Sequence, residues 1–409
     1  MASHLSSHFT SNNILYELQH GFREKRSCET YLIELTEKLV NSISSGKQTD
    51  LIQLDFSKAF DKVNHQKLLF ILQEYGVSPQ ILNWTRSFHI GRSQTVVLDG
   101  DCSNEVPVTP GVPQVFVLGP LLFLAYINQL PSSISTFQVR LFADNTADYL
   151  TITSQSDSAA LQQDLDRLQE WEHDWDMEFN PSKCQVLHIT RNKDIIMHQY
   201  KLCARVLESV SDAKYLGLDL SSDLNFNTHI SRATTSANKS LGFLMRNITT
   251  LNERVKELAY NAMVRPRLEY ASTVWCPHTK TNIDKVEQVQ RRAARWVKRE
   301  YSPLSGVTAL QKDLVWRSLE HRKYDARLIT FYKIVHKIVA IELPHYIQTP
   351  SRFTRHKHPL SFRQLQVNTD FLKFSFYPQC ITLWNRLPAH IATLSDLIQF
   401  KRAVAGIKY

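Results

Sequence analysis

The sequence predicts a mixed α/β unit followed by a mostly helical one, and three observations carry that reading. Residues 51–56, Leu-Ile-Gln-Leu-Asp-Phe, form a short apolar run ending on an acid, the pattern of a buried strand. Phe137, Val139 and Leu141 alternate with polar residues, the period of a half-buried strand. Beyond Lys214 the apolar residues recur at helical spacing instead: Val286, Val289, Ala293 and Trp296 make one stripe, with Arg291, Arg292, Arg295, Lys298 and Arg299 around it.

The elements follow in order. Residues 28–44 read as a helix, with Leu32, Leu35, Leu39 and Ile43 on one face. After the strand ending at Phe56, a helix is expected through Tyr75, stopped by Gly76 and Pro79. Residues 93–98, then Asp99-Gly100, then a second extended run predict a hairpin with a favoured two-residue turn. Residues 109–114 form a Pro-Gly loop and residues 117–130 return to helix. The strand around Val139 is expected to turn at residues 143–146 and come back through Tyr149 to Ile152. Leu161, Leu165, Leu168, Trp171 and Trp175 place a strong helix over residues 158–175. Pro344, Pro350 and Pro359 mark a loop-rich stretch before the last segment.

A chain of 409 residues suggests two or three domains at roughly 150 residues each. With 43% hydrophobic and 21% charged residues, it has the composition of a globular protein and not of a disordered one. The net charge of +9 favours an anionic partner, and its distribution is uneven. Residues 232–357 hold 24 Lys plus Arg against 10 Asp plus Glu, a local +14, so the remainder is near −5. A solvated helical face is the competing reading of that run. Six scattered cysteines without a Cys-x-x-Cys pair indicate neither a zinc knuckle nor a disulfide framework, and fit an intracellular protein of nucleus or cytoplasm. No signal-peptide pattern and no run of 18 apolar residues occur, so no membrane is expected.

Two acids are associated with strand ends. Asp55 closes an apolar strand, and Asp144 sits at the tip of a hairpin in Leu-Phe-Ala-Asp-Asn. Carboxylates from neighbouring strands can hold two divalent ions about 4 Å apart, which activate an attacking hydroxyl and stabilise a leaving pyrophosphate. Mg²⁺ takes carboxylate, phosphate and water oxygens, so neither His nor Cys is needed. Either acid alone reads more readily as a surface or capping residue.

The surrounding residues extend the pattern. Leu54-Asp55-Phe56-Ser57-Lys58-Ala59-Phe60-Asp61-Lys62-Val63-Asn64-His65 resembles motif A of non-LTR (LINE-type) retrotransposon reverse transcriptases. Gln19-His20-Gly21-Phe22-Arg23 with Arg26-Ser27 resembles their fingers motif. Gly111-Val112-Pro113-Gln114 with residues 117–123 resembles motif B, and Phe142-Ala143-Asp144-Asn145 resembles motif C, usually FADD. Trp171, Asn180 and Lys183 sit as in motif D, and residues 374–388 resemble the C-terminal end of jockey-like and CR1-like elements. The motifs fall in family order over nearly the whole chain.

The resemblance implies an α/β right-hand polymerase palm with truncated fingers, followed by a helical thumb and a helical C-terminal region. The implied boundaries are 1–46 fingers, 47–190 palm, 191–300 basic thumb and connection, and 301–409 C-terminal region. The implied activity is RNA-directed DNA polymerisation, with an RNA template, a DNA primer and dNTPs as partners and two Mg²⁺ ions, or Mn²⁺, as cofactors. Asp55 and Asp144 would hold the metal. Phe56 and Phe60 would border the nucleotide, Phe60 as a gate against the ribose 2′-hydroxyl; a core residue is the alternative. Gln114 would lie near the nascent pair. Lys183 would protonate pyrophosphate, or be a surface lysine. Arg23, Lys25 and Arg26 would reach template or triphosphate phosphates, or remain solvated. Trp275 and Trp296 would stack on bases, with packed helix cores the stronger alternative.

Three departures predict an impaired copy. Asn145 replaces the second acid of motif C and removes one negative charge. Val115 and Phe116 stand where motif B has Gly-Ser; Gly permits positive φ and close backbone approach, whereas these side chains add bulk beside the nascent pair. The chain also begins late relative to the family, which predicts that the endonuclease and part of the fingers are missing. Asp148 replaces a usually apolar residue as well. The alternative function is a non-catalytic nucleic-acid-binding remnant.

Overall fold

The computed structural model describes residues 1–114, 117–302, 304–351, 358–407 and 409. They form two compact units: residues 1–28 with 46–213, and residues 29–45 with 214–409.

In the first unit a five-stranded sheet runs in the order Glu208–Ser209, Gln185–Ile189, Gln48–Leu54, Asn145–Ile152, Gln138–Phe142. Every pair is antiparallel except the short outer strand Glu208–Ser209, which lies parallel to Gln185–Ile189. The central strand Gln48–Leu54 is almost entirely buried, which explains its continuous apolar run. Helix Gln155–Asp174 starts at a capping box: Ser154 and Asp157 each satisfy a backbone N–H of the other. It buries Leu161, Leu165, Leu168 and Trp171. Helix Leu118–Ile127 is buried on all sides, as expected for a helix apolar all round.

The hairpin expected at Asp99-Gly100 is present. Val97–Leu98 pairs with Asp101–Cys102, and both turn residues have positive φ, 52° and 97°, as a two-residue mirror-image turn needs. The helix expected up to Tyr75 is broken into two. A single 3-10 turn covers Ala59–Lys62, and helix His65–Glu74 starts afresh, its first N–H groups donating to Asn64 Oδ1 at 2.9 and 3.2 Å. Pro79, expected only to stop that helix, also starts another, Pro79–His89, where its fixed φ and missing N–H suit the first helical turn.

The second unit differs from the expected segment boundaries. Helix Cys28–Ser44, placed by sequence within a 1–46 segment, groups with the C-terminal residues. Its Tyr31 hydroxyl lies 2.7 Å from that of Tyr215, and Glu29 accepts from the Thr273 hydroxyl at 2.6 Å. Sequence spacing cannot reveal such long-range partners. The helical reading from Lys214 misses the strand pair Asp212–Tyr215 and Leu218–Ser221, turned by Leu216 and Gly217 at positive φ. Helices Asn227–Asn247, Glu253–Met263, Lys280–Lys298, Leu319–Val335 and Phe376–Asn385 then dominate. Trp275 and Trp296 are 1% and 4% exposed, so they pack in the helical core and are not available to stack on bases. Arg327, fully buried, is satisfied by the carbonyls of Thr273, Val274, Phe374 and Ser375. Among the described residues no helix is long and apolar enough to cross a membrane.

Candidate active site

Asp55 stands one residue beyond the pair Leu54–Thr146, beside the turn that joins Gln138–Phe142 to Asn145–Ile152. Its peptide group is held on both sides. The N–H donates to Cys184 Sγ at 3.4 Å and the carbonyl accepts from Asn180 N at 2.7 Å. Burial pushes the Cys184 thiol up to about 11, so it stays protonated near neutrality. Phe56 then turns into the core. Its ring stacks on Phe179 at 4.5 Å and meets Trp171 edge-on at 6.1 Å. The Phe56 side chain is 5% exposed, so its contribution is to fix the direction of Asp55 and not to offer a ring to substrate.

Asp144 lies in the hairpin turn, after Ala143 at φ 54°. Burial raises its carboxyl above the usual range, its own backbone N–H opposes that, and the negative charge of Asp55 adds to it. The fold thus brings the two sequence-predicted acids within electrostatic reach of each other. Asn145 Nδ2 donates to Asp144 Oδ1 at 3.4 Å, a long bond from the position where the resembling motif has a second acid. Lys183 Nζ is 3.2 Å from Asp55 Oδ2. That contact lacks the alignment of a hydrogen bond, and Oδ2 is buried with no hydrogen-bond partner.

A carboxylate oxygen that accepts no hydrogen bond and faces only a lysine ammonium, beside a second carboxylate at the same sheet end, fits the hard-oxygen donor set of a divalent cation. Among the described residues there is no group of three or more His, Cys, Asp or Glu side chains arranged to hold a metal ion.

The structure adds a residue to which sequence reasoning assigned no role. Gln19 is 2% exposed, and its Oε1 accepts from both Gly21 N at 2.8 Å and Ala143 N at 2.9 Å. His20 N donates to Leu141 O at 2.8 Å. A Cβ on Gly21 would lie 2.4 Å from Ala143 N. The Gln-His-Gly segment is therefore a clamp on the turn that carries Asp144. The sequence marked this segment only through its motif resemblance, which did not say that Gln19 reaches the turn at Ala143. Gly21→Ala is expected to force two backbones apart and cost roughly 1–3 kcal/mol. Urea unfolding of the sheet-bearing unit measures it, and an unchanged midpoint would refute the clamp.

The loop before helix Leu118–Ile127 is tied to the 3-10 turn after Asp55. Gly111 N donates to Val63 O at 2.9 Å, Val112 N to Phe60 O at 2.8 Å, and His65 Nε2 to Gly111 O at 2.8 Å. Gly111 has φ 102°, and a Cβ there would meet the Asp61 backbone at 3.0 Å. Gly119 is as constrained, since its Cβ would fall 1.8 Å from Pro113 O. Val115 and Phe116 lie outside the described residues. Phe60 is 6% exposed, stacked on Phe123 at 4.4 Å with Phe22 edge-on at 6.4 Å. Gln114 is exposed and lines a cleft of about 590 Å³ with Phe22, Val117, Pro120 and Leu121.

The basic residues expected at phosphates divide. Arg23 donates to Tyr16 O at 2.7 Å and is committed to its own loop, while Arg26 contacts His20 Nε2 at 3.3 Å. Lys25 sits at φ 60°.

The model of the reverse transcriptase (RNA-dependent DNA polymerase) family matches residues 1–220. The chain is 28% identical over 292 residues to the RNA-directed DNA polymerase from mobile element jockey of Drosophila funebris, covering 68% of this chain and 31% of that protein. It is 26% identical over 363 residues to the probable RNA-directed DNA polymerase from transposon BS of Drosophila melanogaster, covering 82% and 39%. The chain therefore spans about a third of the length of these relatives. Apo telomerase from Candida tropicalis superposes with a TM-score of 0.44 at 9% identity, over 82% of this chain and 53% of that one. By the family match and these relatives, the chain belongs to the reverse transcriptase (RNA-dependent DNA polymerase) family, on its non-LTR retrotransposon branch.

Proposed function

We propose that the chain is the polymerase module of a non-LTR retroelement, built to add dNTPs to a DNA primer on an RNA template, and that its active site is impaired. The observation that carries this is the Asp55–Asp144 pair: two acids at the same end of one sheet, one with a buried oxygen that accepts no hydrogen bond and faces the Lys183 ammonium, the other with its proton affinity raised by burial and by the first. Residues 47–190 correspond to the palm, residues 1–46 to the fingers, residues 191–300 to the thumb and residues 301–409 to a C-terminal region.

Asp55 and Asp144 would hold Mg²⁺, with Mn²⁺ as a substitute. Such an ion, when bound, supplies activation of the primer hydroxyl and stabilisation of departing pyrophosphate. The chain's own groups do the rest. Lys183, 3.2 Å from Asp55, is placed to give a proton to the leaving group. Phe60 backs the nucleotide from below as a packed wall, with Phe22 against its edge. Gln114 borders the cleft in which the nascent pair would lie. In the second unit the polar face of helix Asn227–Asn247, with Thr228, Ser231, Thr235 and Lys239 beside an Arg232 that is paired with Asp219, suits phosphate contacts that are sequence-independent and salt-sensitive. The stripe on helix Lys280–Lys298 suits it less: Lys298 is paired with Glu253 at 2.7 Å and Asp313 at 2.5 Å, and Arg291 lies 3.4 Å from Asp284.

Primer extension on an RNA template tests the reading. The chain as it stands is run beside one carrying Asn145→Asp, Val115→Gly and Phe116→Ser, and beside that repaired chain with Asp55→Asn. Extension by the repaired chain alone is the expected result. Extension by the unaltered chain would sink the claim of impairment. Extension that survives Asp55→Asn would sink the site assignment.

A further inference from the structure

The second unit holds a cavity that the polymerase reading does not use. It measures about 580 Å³ and opens between the start of helix Leu319–Val335, the turn leading into helix Phe376–Asn385, and the last residues of the chain. Three aromatic rings line it. Tyr324 and Tyr409 meet edge to face at 5.3 Å and 78°, forming a corner. Phe374 stacks on His278 at 4.4 Å and 7°, which holds that ring in place. Two cations, Lys373 and Arg386, line the same cavity and are exposed, and neither has a carboxylate within ion-pair distance among the described residues. This contrasts with the neighbouring cations Arg317 and Arg322, which pair with Asp325 and Glu269. Glu320 supplies an acceptor, already oriented by the Tyr324 hydroxyl at 3.0 Å.

Flat rings, two exposed cations without carboxylate partners (Lys373 reaching only the Phe374 ring, 5.3 Å from its centroid) and an oriented acceptor are complementary to three parts of one ligand. The rings suit a planar heterocycle, the cations a phosphate, and the carboxylate an exocyclic amine. A bare phosphate would need no aromatic corner. The volume suits one nucleotide and not a duplex, which is wider than the cavity.

We propose that this cavity binds a single unpaired nucleotide, base inward, with its phosphate on Lys373 and Arg386. The inference rests on the reading of the chain as a nucleic-acid enzyme, but uses none of the active-site residues. The nucleotide is either free or part of a single strand, and the chemistry is shared.

The test is photocrosslinking of the full chain to a single-stranded RNA hexamer containing 4-thiouridine, with crosslinked peptides mapped by mass spectrometry. Crosslinks on peptides bearing Tyr324, Phe374 or Tyr409 are expected. They should fall at least tenfold in the Lys373→Glu, Arg386→Glu chain, whose two altered residues are exposed, with an unchanged melting temperature. Crosslinks elsewhere in the same digest should persist. Competition by AMP supports a site that takes the free nucleotide, and competition by the unlabelled hexamer alone supports one that requires a strand. Competition by ribose 5-phosphate as strong as by AMP would overturn the role of the base. Crosslinks found elsewhere but absent from these peptides, or indifferent to charge reversal, would overturn the pocket. Crosslinks nowhere in the chain would overturn the nucleic-acid reading itself, a distinct result.

Discussion

Extension by a chain already carrying Val115→Gly and Phe116→Ser is expected to rise about a thousandfold when Asn145→Asp is added. The reason is electrostatic. An amide at position 145 brings no charge, and its N–H donates to Asp144 Oδ1, occupying part of an acid that a cation would need. One unit charge about 4 Å from a cation is worth on the order of 4 kcal/mol at an effective dielectric of 20, which gives the stated factor if it is felt in the transition state. The same substitution has a cost that can be read without turnover. Three acids at one sheet end repel each other, so in EDTA the Asn145→Asp chain should melt below its parent, and millimolar Mg²⁺ should recover the difference and exceed it. The parent should respond to Mg²⁺ much less. Acidification adds a signature. Because burial and the Asp55 charge raise the Asp144 carboxyl in the metal-free chain, protons compete with the cation there at a higher pH than at an ordinary aspartate, and the Mg²⁺ concentration needed for the melting shift should rise as pH drops. A rate gain below threefold, with no Mg²⁺-dependent melting shift, would mean that position 145 does not face the cation.

Much of the sheet-bearing unit was legible because its signals are local. The Leu-Ile-Gln-Leu-Asp-Phe run gave the central strand, the alternation at Val139 gave its hairpin, and Asp99-Gly100 gave a turn with the two positive φ angles that dipeptide favours. Asp55 and Asp144 stood out at strand ends, but only the motifs around them set them apart from surface or capping acids. The Gln19 clamp was not legible, because its hydrogen bond spans 124 positions and any buried glutamine looks alike in sequence. Nor was the assignment of helix Cys28–Ser44 to the second unit, which depends on partners such as Tyr215 and Thr273. Charge was the least faithful guide. Arg327 and Lys323 counted toward a basic field, yet both are buried and hydrogen-bonded to backbone carbonyls, Lys323 to Leu268 O at 2.8 Å. Burial brings the Lys323 amine down to about 7, so it contributes only part of a charge near neutrality.

Asp148→Val is expected to stabilise the sheet-bearing unit by about 2–4 kcal/mol at neutral pH, a rise of roughly 5–10 °C in its melting transition. Asp148 is fully buried, and neither carboxyl oxygen has a hydrogen-bond partner. It stands between Ile52 and Val139 on the adjoining strands, where a β-branched side chain suits the pleated surface. Burial raises its carboxyl well above the usual range, and the charge of Asp164 adds to that. The pH dependence follows from the sign of this shift. A folded-state value above the unfolded value of about 3.9 means that the penalty is absent below that pH and grows as pH rises toward the folded value. The advantage of Asp148→Val over the native residue should therefore be smallest near pH 4, widen with rising pH, and level off once the folded value is passed. Asp148→Asn should flatten the pH dependence while recovering less stability, since a buried amide still lacks partners. Asp50 supplies the contrast. It is equally buried in the same sheet, but accepts from His188 Nδ1 at 2.8 Å, Tyr200 Oη at 2.7 Å and Gln48 Nε2 at 2.8 Å. Asp50→Val should therefore destabilise, because it strands three donors. Opposite signs at two fully buried acids of one sheet would show that hydrogen-bond satisfaction, and not burial, decides the cost of each. Destabilisation by both substitutions would refute the reading of Asp148 as a lesion in the core.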